Sequence, residues 1–495
     1  MNYLLLLQNI CYDIINKYFA GGVYLNVITI ILSAIPILNI IFVITLIFSE
    51  RRNPTATWAW LLILITLPFL GFILYLFFGL TPKKRRIFNR KTAKDKKHKQ
   101  NIIKEDLNCQ REKISQTEQK NIIQLNSNNE RILYSKNNDI ELYHCGEEKF
   151  RNLFKQIRLA NHHIHICYYI IRDDSLGKAL VKSLAKKARE GVEVRVLYDS
   201  VGCRKLPDDF FDELKVSGGK IARFYPSFLD INYRNHRKIV VIDGKIGFVG
   251  GANVGLEYLG LSDKFGFWRD THLKVVGEAT KSLQERFLLD WNFATNENIL
   301  YSPEYYPTIK KRGNTGMQIV TSGPDSSSEE IKAFFLKMIY SAEKSIYLQS
   351  PYFIPDESIL EALQIAASSG VDIKIVIPDK PDHPFVFWAN RSYLGLMLEY
   401  GAEGYVYKKG FLHSKLIIID GQIASVGTAN MDVRSFKLNF EINSFLYDNK
   451  IAGELQKQFL KDLDDSSMIT EEDYNKRGIS TKFKESVSRL LSPIL

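Results

Sequence analysis

The sequence predicts an α/β protein that consists of two pseudo-symmetric halves in one chain, preceded by a two-span transmembrane helical hairpin. Three observations predict this fold. Residues 18–49 and 53–82 carry no charged side chain. From about residue 136, a strand, a helix, a glycine and a strand follow one another twice, about 180 residues apart. A short motif of histidine, lysine and aspartate also occurs twice, with every position repeated 177 residues later.

Six segments follow from these observations. The first two are an N-terminal segment and the hairpin. The others are a basic and polar linker, the two α/β halves and a C-terminal tail helix. In chain order, the predicted ranges are 1–22, 23–80, 81–135, 136–310, 311–475 and 476–495.

The prediction of the hairpin rests on the length of the uncharged stretches. Each is longer than the roughly 20 apolar residues that cross a bilayer, which predicts spans at about 24–48 and 58–80. The intervening sequence SERRNPTATWAW is too short to form a domain, and Trp58 and Trp60 stand where aromatic residues line a membrane interface. A buried helical hairpin of a soluble protein is the alternative.

The positive charge of the chain is concentrated in one segment. The formal net charge is +11, and residues 81–100 hold ten Lys or Arg and one Asp. A nucleic-acid groove needs positive charge along its contact face, so this distribution predicts no nucleic-acid partner. Cations that flank a span favour the cytoplasmic side, which predicts a multi-pass protein whose halves are cytoplasmic. The cluster would then contact anionic lipid headgroups.

Each α/β half is predicted from one strand–helix–strand unit. The helices are amphipathic, and Gly191 and Gly370 follow them at positions suited to a left-handed cap. Repetition of whole units indicates two similar halves. The predicted strand, helix and strand are 162–170, 177–190 and 192–198 in the first half, and 344–354, 356–369 and 371–377 in the second.

The C-terminal tail FKESVSRLLSPIL is predicted to form an amphipathic helix. Five of its apolar residues share one face at helical spacing. We expect that face to pack on the tail's own domain rather than on a membrane. The residues are Phe483, Val487, Leu490, Leu491 and Leu495.

The cysteines and most histidines give no strong metal signal. The cysteines are odd in number and lack paired metal spacing, which predicts free thiols in a reducing compartment. His162, His163 and His165 are an alternative zinc site, but such positions without Cys or Asp partners are more often packing or surface residues. We predict no metal and no cofactor. The cysteines are Cys11, Cys109, Cys145, Cys167 and Cys203.

The repeated motif carries the candidate catalytic residues. Residues two apart in a strand point to the same face, so each motif histidine projects with its lysine. Four apolar residues follow each pair and indicate a buried strand, and Asp-Gly then closes a hairpin. Each aspartate lies at this turn, at an odd offset from the histidine, and is predicted to be structural rather than an acid–base group. The motif residues are His236, Lys238 and Asp243 in the first half, and His413, Lys415 and Asp420 in the second.

These residue types suit phosphoryl transfer. Imidazole is a competent nucleophile toward phosphorus and a competent acid toward a leaving oxygen. The lysines would supply positive charge to the phosphate oxygens, and Asn253, Asn430 and the Thr428 hydroxyl would donate hydrogen bonds to them. A carboxylate on the far nitrogen of each histidine would fix its tautomer, and Asp270 and Glu441 are the candidates.

Both motifs are followed by an asparagine, in GGAN and GTAN, and the chain resembles the phospholipase D superfamily, in particular its bacterial cardiolipin synthases. ERRNPTATWAWLLILITLPFLGFILYLFFG, WRDTH and SPYFIPDE add to this resemblance, which covers nearly the whole chain except the region around 95–135. It implies two phospholipase D-like halves, a bacterial cell-membrane location and metal-independent phosphatidyl transfer between two phosphatidylglycerol molecules. The products would be cardiolipin and glycerol. It also implies a phosphatidyl-histidine at His236 and acid–base catalysis by His413, although the pseudo-symmetry leaves that order open.

Four other functions are alternatives. A membrane-anchored phospholipase D would use water as the acceptor, and a related transferase would use another alcohol or phosphatidylethanolamine. A nuclease of the same superfamily is disfavoured by the nearly neutral halves and the two spans. A catalytically inactive scaffold is disfavoured because His, Lys and Asn are intact in both motifs. The oligomeric state is not indicated by the sequence.

Overall fold

The structure is a computed structural model of the chain. The chain divides into two compact units, Met1–Ile87 and Phe88–Leu495. We describe each unit by itself. The residues that the structure describes are 23–48, 54–75, 91, 95, 120–125, 132–224, 232–299, 302–309, 312–326 and 328–492.

The first unit is helical where it is described, with α1 (Val23–Phe48), α2 (Pro54–Thr66) and α3 (Pro68–Leu74). The side-chain amide of Asn39 joins them by donating to backbone carbonyls at both ends of the α2–α3 junction. Across the described ranges, none of the helices is both long enough and apolar enough to span a membrane. The predicted N-terminal segment 1–22 and the last part of the second predicted span, 76–80, lie outside those ranges.

The second unit contains the two α/β halves. Up to residue 310, its elements are α4 (Lys120–Ile123), β1 (Tyr134–Ser135), β2 (Asn138–Cys145), α5 (Gly146–Leu159), β3 (His163–Tyr168), α6 (Ser175–Arg189), β4 (Glu193–Asp199), α7 (Asp212–Val216), β5 (Lys220–Phe224), β6 (Arg234–Asn235), β7 (Ile239–Ile242), β8 (Ile246–Gly250), β9 (Phe267–Gly277) and α8 (Thr280–Thr295), with 3-10 turns at Leu256–Leu259 and Pro303–Tyr305. After residue 310, they are β10 (Gly316–Ser322), α9 (Glu330–Tyr340), β11 (Ser345–Gln349), β12 (Phe353–Ile354), α10 (Glu357–Ser368), β13 (Asp372–Pro378), α11 (Pro384–Leu398), β14 (Glu403–Tyr407), β15 (Gly410–Leu412), β16 (Leu416–Ile419), β17 (Ile423–Gly427), β18 (Met431–Asp432), α12 (Val433–Lys437), β19 (Asn439–Tyr447), α13 (Asn449–Asp464), β20 (Ser466–Ile469), α14 (Glu471–Asn475) and α15 (Ile479–Leu490).

The same order of six strands occurs in both halves, which confirms the predicted repeat of α/β halves. It is β9-β8-β7-β3-β4-β5 in the first sheet and β19-β17-β16-β11-β13-β14 in the second. Gly191 and Gly370, with φ of 87° and 90°, adopt the left-handed conformation that was predicted after each helix. The predicted strand 344–354 is instead two strands, β11 and β12, because Pro351 lies between them and has no amide hydrogen for a ladder.

The two halves exchange short strands next to the motif histidines. β6, which directly precedes His236, pairs with β19 of the second sheet. β15, which directly precedes His413, pairs with β9 of the first sheet. Each histidine is therefore delivered to the sheet of the opposite half.

The hydrophobic core joins the halves into one body. One buried cluster contains Val241 and Leu273 of the first half together with Ile418 and Ile442 of the second. Two further clusters lie mainly within single halves, one in each. Because apolar burial is the main favourable term in folding, the shared cluster fixes the relative position of the two sheets.

The predicted linker 81–135 is partly built into the second unit, so that prediction is wrong for its described residues. Ile122 and Ile123 are buried in the core of the second half, and β1 pairs with β10 of the second sheet. Lys91 is buried, with its amine 2.8 Å from Asp95 and 2.5 Å from Asp325. This lysine of the predicted basic cluster therefore does not face lipid. Apart from Asp95, the rest of that cluster lies outside the described residues.

The tail helix α15 packs on α11, but not through the predicted apolar face. Phe483 and Leu490 are 69% and 80% exposed. The inward side instead holds Glu485, which forms an ion pair with Arg477 at 2.6 Å. The predicted docking of the tail on its own domain is confirmed, but the predicted face is wrong because this ion pair and small serines make the docking side polar. Leu495 lies outside the described residues.

The alternative zinc site is not supported. Gln284 bridges His163 and His165, at 3.0 Å from Nε2 of one ring and 2.8 Å from Nδ1 of the other, and His162 bonds to His163. No cluster of His, Cys, Asp or Glu in the described part of the chain is suited to hold a metal ion. The described cysteines are free thiols, namely Cys145, Cys167 and Cys203, whereas Cys11 and Cys109 lie outside the described residues.

Candidate active site

Each motif ends in a hairpin turn that its aspartate holds in place. Asp243 and Asp420 both have φ of 54°, and the glycines after them have φ of 63° and 66°. Two consecutive left-handed residues are typical of a type I′ turn. The aspartates lie at the opposite end of β7 and β16 from the histidines, which supports a structural role. Their carboxylates accept hydrogen bonds from the backbone amides of Asn161, His162 and His163 for Asp243, and of Glu343, Lys344 and Ser345 for Asp420.

Each motif histidine meets a carboxylate of the opposite half. His236 Nδ1 lies 2.9 Å from both carboxylate oxygens of Glu441 on β19. His413 Nδ1 lies 2.7 Å from Asp270 Oδ2 on β9. Because a carboxylate is hydrogen-bonded to Nδ1 of each ring, Nε2 is the nitrogen that is available to react with a substrate.

Both histidines line one cavity of about 720 Å³. Aromatic rings form part of its wall, with the Tyr169 ring centroid 4.9 Å from that of His236 and the Trp268 centroid 5.2 Å from that of His413. Such rings restrict the access of water to the imidazoles. The lining also contains several cations, namely Arg172, Lys205, Arg234, Lys264 and Arg434.

The motif lysines lie beneath the histidines. Lys238 and Lys415 are buried, and the amine of each donates to the backbone carbonyl of its own motif histidine at 2.7 Å. Neither lysine is among the described residues that line the cavity. Burial lowers the pKa of Lys238 to about 7 and that of Lys415 to about 8. An anionic phosphate above them would favour their charged forms.

Both imidazoles are neutral near pH 7. Burial, reinforced by Lys238 and Lys415, holds the pKa of His236 well below its ordinary value. Burial and then Lys415 lower the pKa of His413 to about 4, although Asp270 opposes this shift. A neutral imidazole is the nucleophilic form, and an anion beside it would raise its pKa toward the acid form.

The two carboxylates are not electrically equivalent. Burial alone would raise the pKa of Asp270, but His413 and Lys415 outweigh it and hold that pKa below its ordinary value. Burial raises the pKa of Glu441 to about 7, against the opposing effect of Lys238. Near neutral pH, Asp270 is therefore ionised and Glu441 is close to its midpoint.

The two motif asparagines line the cavity, as a role toward substrate requires. Asn253 Nδ2 donates to the Tyr258 hydroxyl at 2.9 Å, and Asn430 Nδ2 donates to Asp432 at 3.1 Å. An amide nitrogen carries two hydrogens, so each retains one for a phosphate oxygen. The carboxamide oxygen of Asn430 is buried without a hydrogen-bond partner among the described residues, and it is suited to accept from a substrate hydroxyl.

Thr428 does not have the predicted role of a phosphate donor. It is fully buried, and its hydroxyl donates to Glu441 Oε2 at 2.5 Å. A hydroxyl has one hydrogen, so none is left for phosphate. The equivalent position in the first half is Gly251, where an added Cβ would lie 2.1 Å from Asp270 Oδ1. The difference between GTAN and GGAN therefore follows from the carboxylates. Thr428 donates a hydrogen bond to Glu441, whereas Gly251 leaves space for Asp270.

Comparison with known proteins decides the family. A family profile described as "Cardiolipin synthase, PLD-like domain" matches residues 153–291 and 335–463, which include both motifs. The cardiolipin synthase of Oceanobacillus iheyensis is 50% identical over 468 residues, which cover 93% of this chain and 98% of that protein. The chain belongs to the phospholipase D-like cardiolipin synthase family. A profile described as "Phospholipase_D-nuclease N-terminal" also matches residues 37–79.

Other known proteins are also similar to this chain over most of its length. The major cardiolipin synthase ClsA of Bacillus subtilis is 49% identical over 483 residues, which cover 95% of this chain and 100% of that protein. Among solved structures, the phosphatidylserine synthase of Haemophilus influenzae matches with a TM-score of 0.56 at 15% identity, over 72% of this chain and 95% of that one. At this identity, the structural likeness shows the shared fold.

Sequence reasoning missed several residues of this cardiolipin synthase-type site. The aromatic wall and the five cations of the cavity were not predicted. Arg234 had a sequence signal, because it stands two residues before His236 and so shares its side of an extended segment. Arg434 and Lys205 were not predicted, since tertiary packing brings them to the cavity, Arg434 from α12 and Lys205 from the loop after β4.

Proposed function

We propose that this chain is a cardiolipin synthase that transfers a phosphatidyl group from one phosphatidylglycerol to a hydroxyl of another, releasing glycerol. The observation that supports it most directly is the pair of histidine–carboxylate contacts at one cavity, His236 with Glu441 and His413 with Asp270. Two neutral imidazoles with fixed tautomers supply a nucleophile and an acid–base group. The cardiolipin synthases to which the chain is similar over 93–95% of its length support the choice of reaction.

In the first step, His236 Nε2 attacks the phosphorus of phosphatidylglycerol. A phosphorus–nitrogen bond forms and the bond from phosphorus to the glycerol oxygen breaks. His413 gives its Nε2 proton to that oxygen, and glycerol leaves. The anionic phosphodiester raises the pKa of His413 from its low value, and ionised Asp270 stabilises the imidazolium that donates the proton.

In the second step, a hydroxyl of another phosphatidylglycerol loses its proton to neutral His413. Its oxygen attacks the phosphorus, the phosphorus–nitrogen bond breaks, and cardiolipin forms. Water competes for the same phosphorus, so the site must hold the second lipid in place and restrict water. Tyr169 and Trp268 provide apolar surface beside the two imidazoles, and the cations of the cavity complement a second phosphate.

We also propose that residues 23–80 form a membrane anchor with two spans and that the α/β halves are cytoplasmic. The uncharged stretches 18–49 and 53–82 support it, as does the N-terminal family profile over residues 37–79. Retention of the chain in membranes after alkaline extraction tests the anchor. Protease digestion of sealed vesicles tests on which side of the membrane the halves lie. Cytoplasmic halves would be cut in inverted vesicles and protected in right-side-out vesicles.

The reaction is tested with detergent-purified full-length chain and phosphatidylglycerol as the only lipid, without added metal. We expect equimolar cardiolipin and glycerol by mass spectrometry. His236→Ala and His413→Ala should abolish turnover, whereas His162→Ala, at a surface histidine outside the cavity, should retain it. Phosphatidic acid as the only lipid product would assign water as the acceptor and make the chain a phospholipase D.

The order of the two histidines has its own test. An acid quench during turnover of labelled phosphatidylglycerol traps the phosphorus–nitrogen bond, and peptide mapping locates it. Label on the His236 peptide is expected. Label on the His413 peptide would reverse the two roles without changing the reaction.

A further inference from the structure

The tail helix α15 presents its apolar face outward. Ile479, Phe483 and Leu490 are 88%, 69% and 80% exposed. At about 100° per residue, these three positions fall within about 40° of one another around the helix. Large apolar side chains gathered on one exposed face are typical of an interaction site rather than of scattered surface residues.

The opposite face of α15 is its docking side. Glu485 and Ser488 are buried, and Glu485 pairs with Arg477 at 2.6 Å. The Tyr393 hydroxyl on α11 donates to Ser492 Oγ just beyond the helix at 3.2 Å. These contacts fix the orientation of α15 about its own axis. The packing of its polar face therefore leaves the apolar face exposed to solvent.

Cations flank the outward apolar face on both sides. Lys482 and Arg489 lie on one side of it and Lys484 on the other, and all three are exposed. The only acidic residue of α15, Glu485, is buried in its ion pair. An apolar strip with flanking cations is the pattern of a helix that lies in the interface of a bilayer containing anionic lipids.

The helix α11, on which α15 packs, also lines part of the cavity. Val386 on α11 and His383 just before it line the cavity, and the Lys484 amine lies 5.1 Å from the ring centroid of Trp388 on the same helix. Phe385, between those cavity residues, is 52% exposed. The helix on which α15 packs therefore also lines the candidate active-site cavity.

We propose that α15 is a membrane-surface anchor: Ile479, Phe483 and Leu490 insert among the acyl chains, and Lys482, Lys484 and Arg489 contact anionic headgroups. A second copy of the chain is a less favourable occupant. A two-fold contact through this strip would bring the three cations against their own copies, with no exposed acid on α15 to offset them. This lipid contact is independent of the proposed reaction, because α15 can bind the membrane without turnover.

Site-specific photocrosslinking of the full-length chain in phosphatidylglycerol vesicles tests the proposal. Phe483 is replaced by p-benzoylphenylalanine, which reacts with nearby carbon–hydrogen bonds on illumination. The matched control carries the same group at Val216 on α7, which is 90% exposed. We expect lipid adducts at position 483 and few or none at 216. The His236→Ala chain should give the same adducts, which separates this result from that of the catalytic test.

A second pair of variants measures the contribution of the apolar face. Leu490→Glu in the chain with the crosslinker at 483 should lower the lipid adduct about tenfold, because it puts a charge into the apolar strip. Val216→Glu in the same chain should leave the adduct unchanged. Equal adducts at 483 and 216, or adducts from 483 to a second protein chain, would overturn the proposal.

Discussion

His236 Nδ1 lies 2.9 Å from both carboxylate oxygens of Glu441, a residue 205 positions later in the chain. In the other direction, His413 reaches back to Asp270 at 2.7 Å. Each motif histidine is thus oriented by a carboxylate of the half that does not carry it. This reciprocal arrangement follows from the short strands β6 and β15, which pair with the opposite sheets.

Glu441→Gln should lower turnover of phosphatidylglycerol by about 100-fold or more, because an amide no longer stabilises the imidazolium and permits the wrong tautomer. Asp270→Asn should cause a comparable loss through His413. Initial rates at saturating lipid measure both. A cooperative thermal transition in both variants would show that they are folded and that the loss lies in the chemistry, whereas near-normal rates for both variants would contradict the orienting role.

The stability of the chain should depend on pH through Glu441. Its pKa in the folded chain is about 7, above the unfolded value, so the folded state binds this proton more tightly. The resulting stabilisation is fully present below about pH 4.5 and is lost as the pH rises through about 7. Relative to the parent, Glu441→Gln should therefore gain about 1–3 kcal/mol of unfolding free energy between pH 5 and 8.

Thermal midpoints recorded from pH 5 to 8 check this difference. Asp270→Asn is the matched control. The folded pKa of Asp270 is below its ordinary value. The stability that its ionised form contributes is therefore lost only as the pH falls below that ordinary pKa, which lies outside the range from pH 5 to 8. Parallel pH profiles for the parent and Glu441→Gln would contradict the prediction.

Gly251→Ala should reduce activity although glycine and alanine differ by one methyl group. The new Cβ would lie 2.1 Å from Asp270 Oδ1 and must displace the carboxylate that orients His413. We expect kcat to fall at least tenfold with little change in KM for phosphatidylglycerol. Gly453→Ala, at a helical glycine with open space around it, serves as the control. An equal loss in both variants would point to general destabilisation instead.

Asp243→Ala and Asp420→Ala should destabilise the fold rather than remove the chemistry. Each carboxylate accepts three backbone N–H groups at a left-handed turn. Loss of these acceptors should cost about 1–3 kcal/mol of unfolding free energy. Asparagine tolerates the left-handed conformation and retains one acceptor, so Asp243→Asn should recover part of the loss. Turnover per folded molecule is the measurement that separates the two roles, and a complete loss in well-folded protein would assign the aspartates to catalysis.

The repeated fold could be predicted from the sequence because its signals are local. Val194 and Val196 alternate with polar residues in one strand, Gly191 ends a helix, and the same signals recur in the second half. The candidate carboxylates were also found locally, from Asp270 in WRDTH and Glu441 in NFEIN. Which carboxylate meets which histidine depends on strand exchange between the halves, and no local pattern encodes that.

Other features of the site could not be predicted because they depend on burial. Thr428 looked like a phosphate donor from its place after the hairpin, but packing directs its hydroxyl to Glu441. Phe483 and Leu490 were predicted to face the domain, but Glu485, which is buried and paired with Arg477, lies on the docking side instead. In both cases, the sequence identified the residue and tertiary contacts decided its partner.

The reciprocal pairing also constrains when the protein can become active during its synthesis. A ribosome that has made residues 1–440 has produced His236, His413 and Asp270, but not Glu441. The nucleophile proposed here acquires its partner only when translation has passed nine-tenths or so of the chain and β19 has begun to pair. A nascent chain that ends before Glu441 therefore lacks the carboxylate that orients His236, and turnover by unfinished molecules is suppressed.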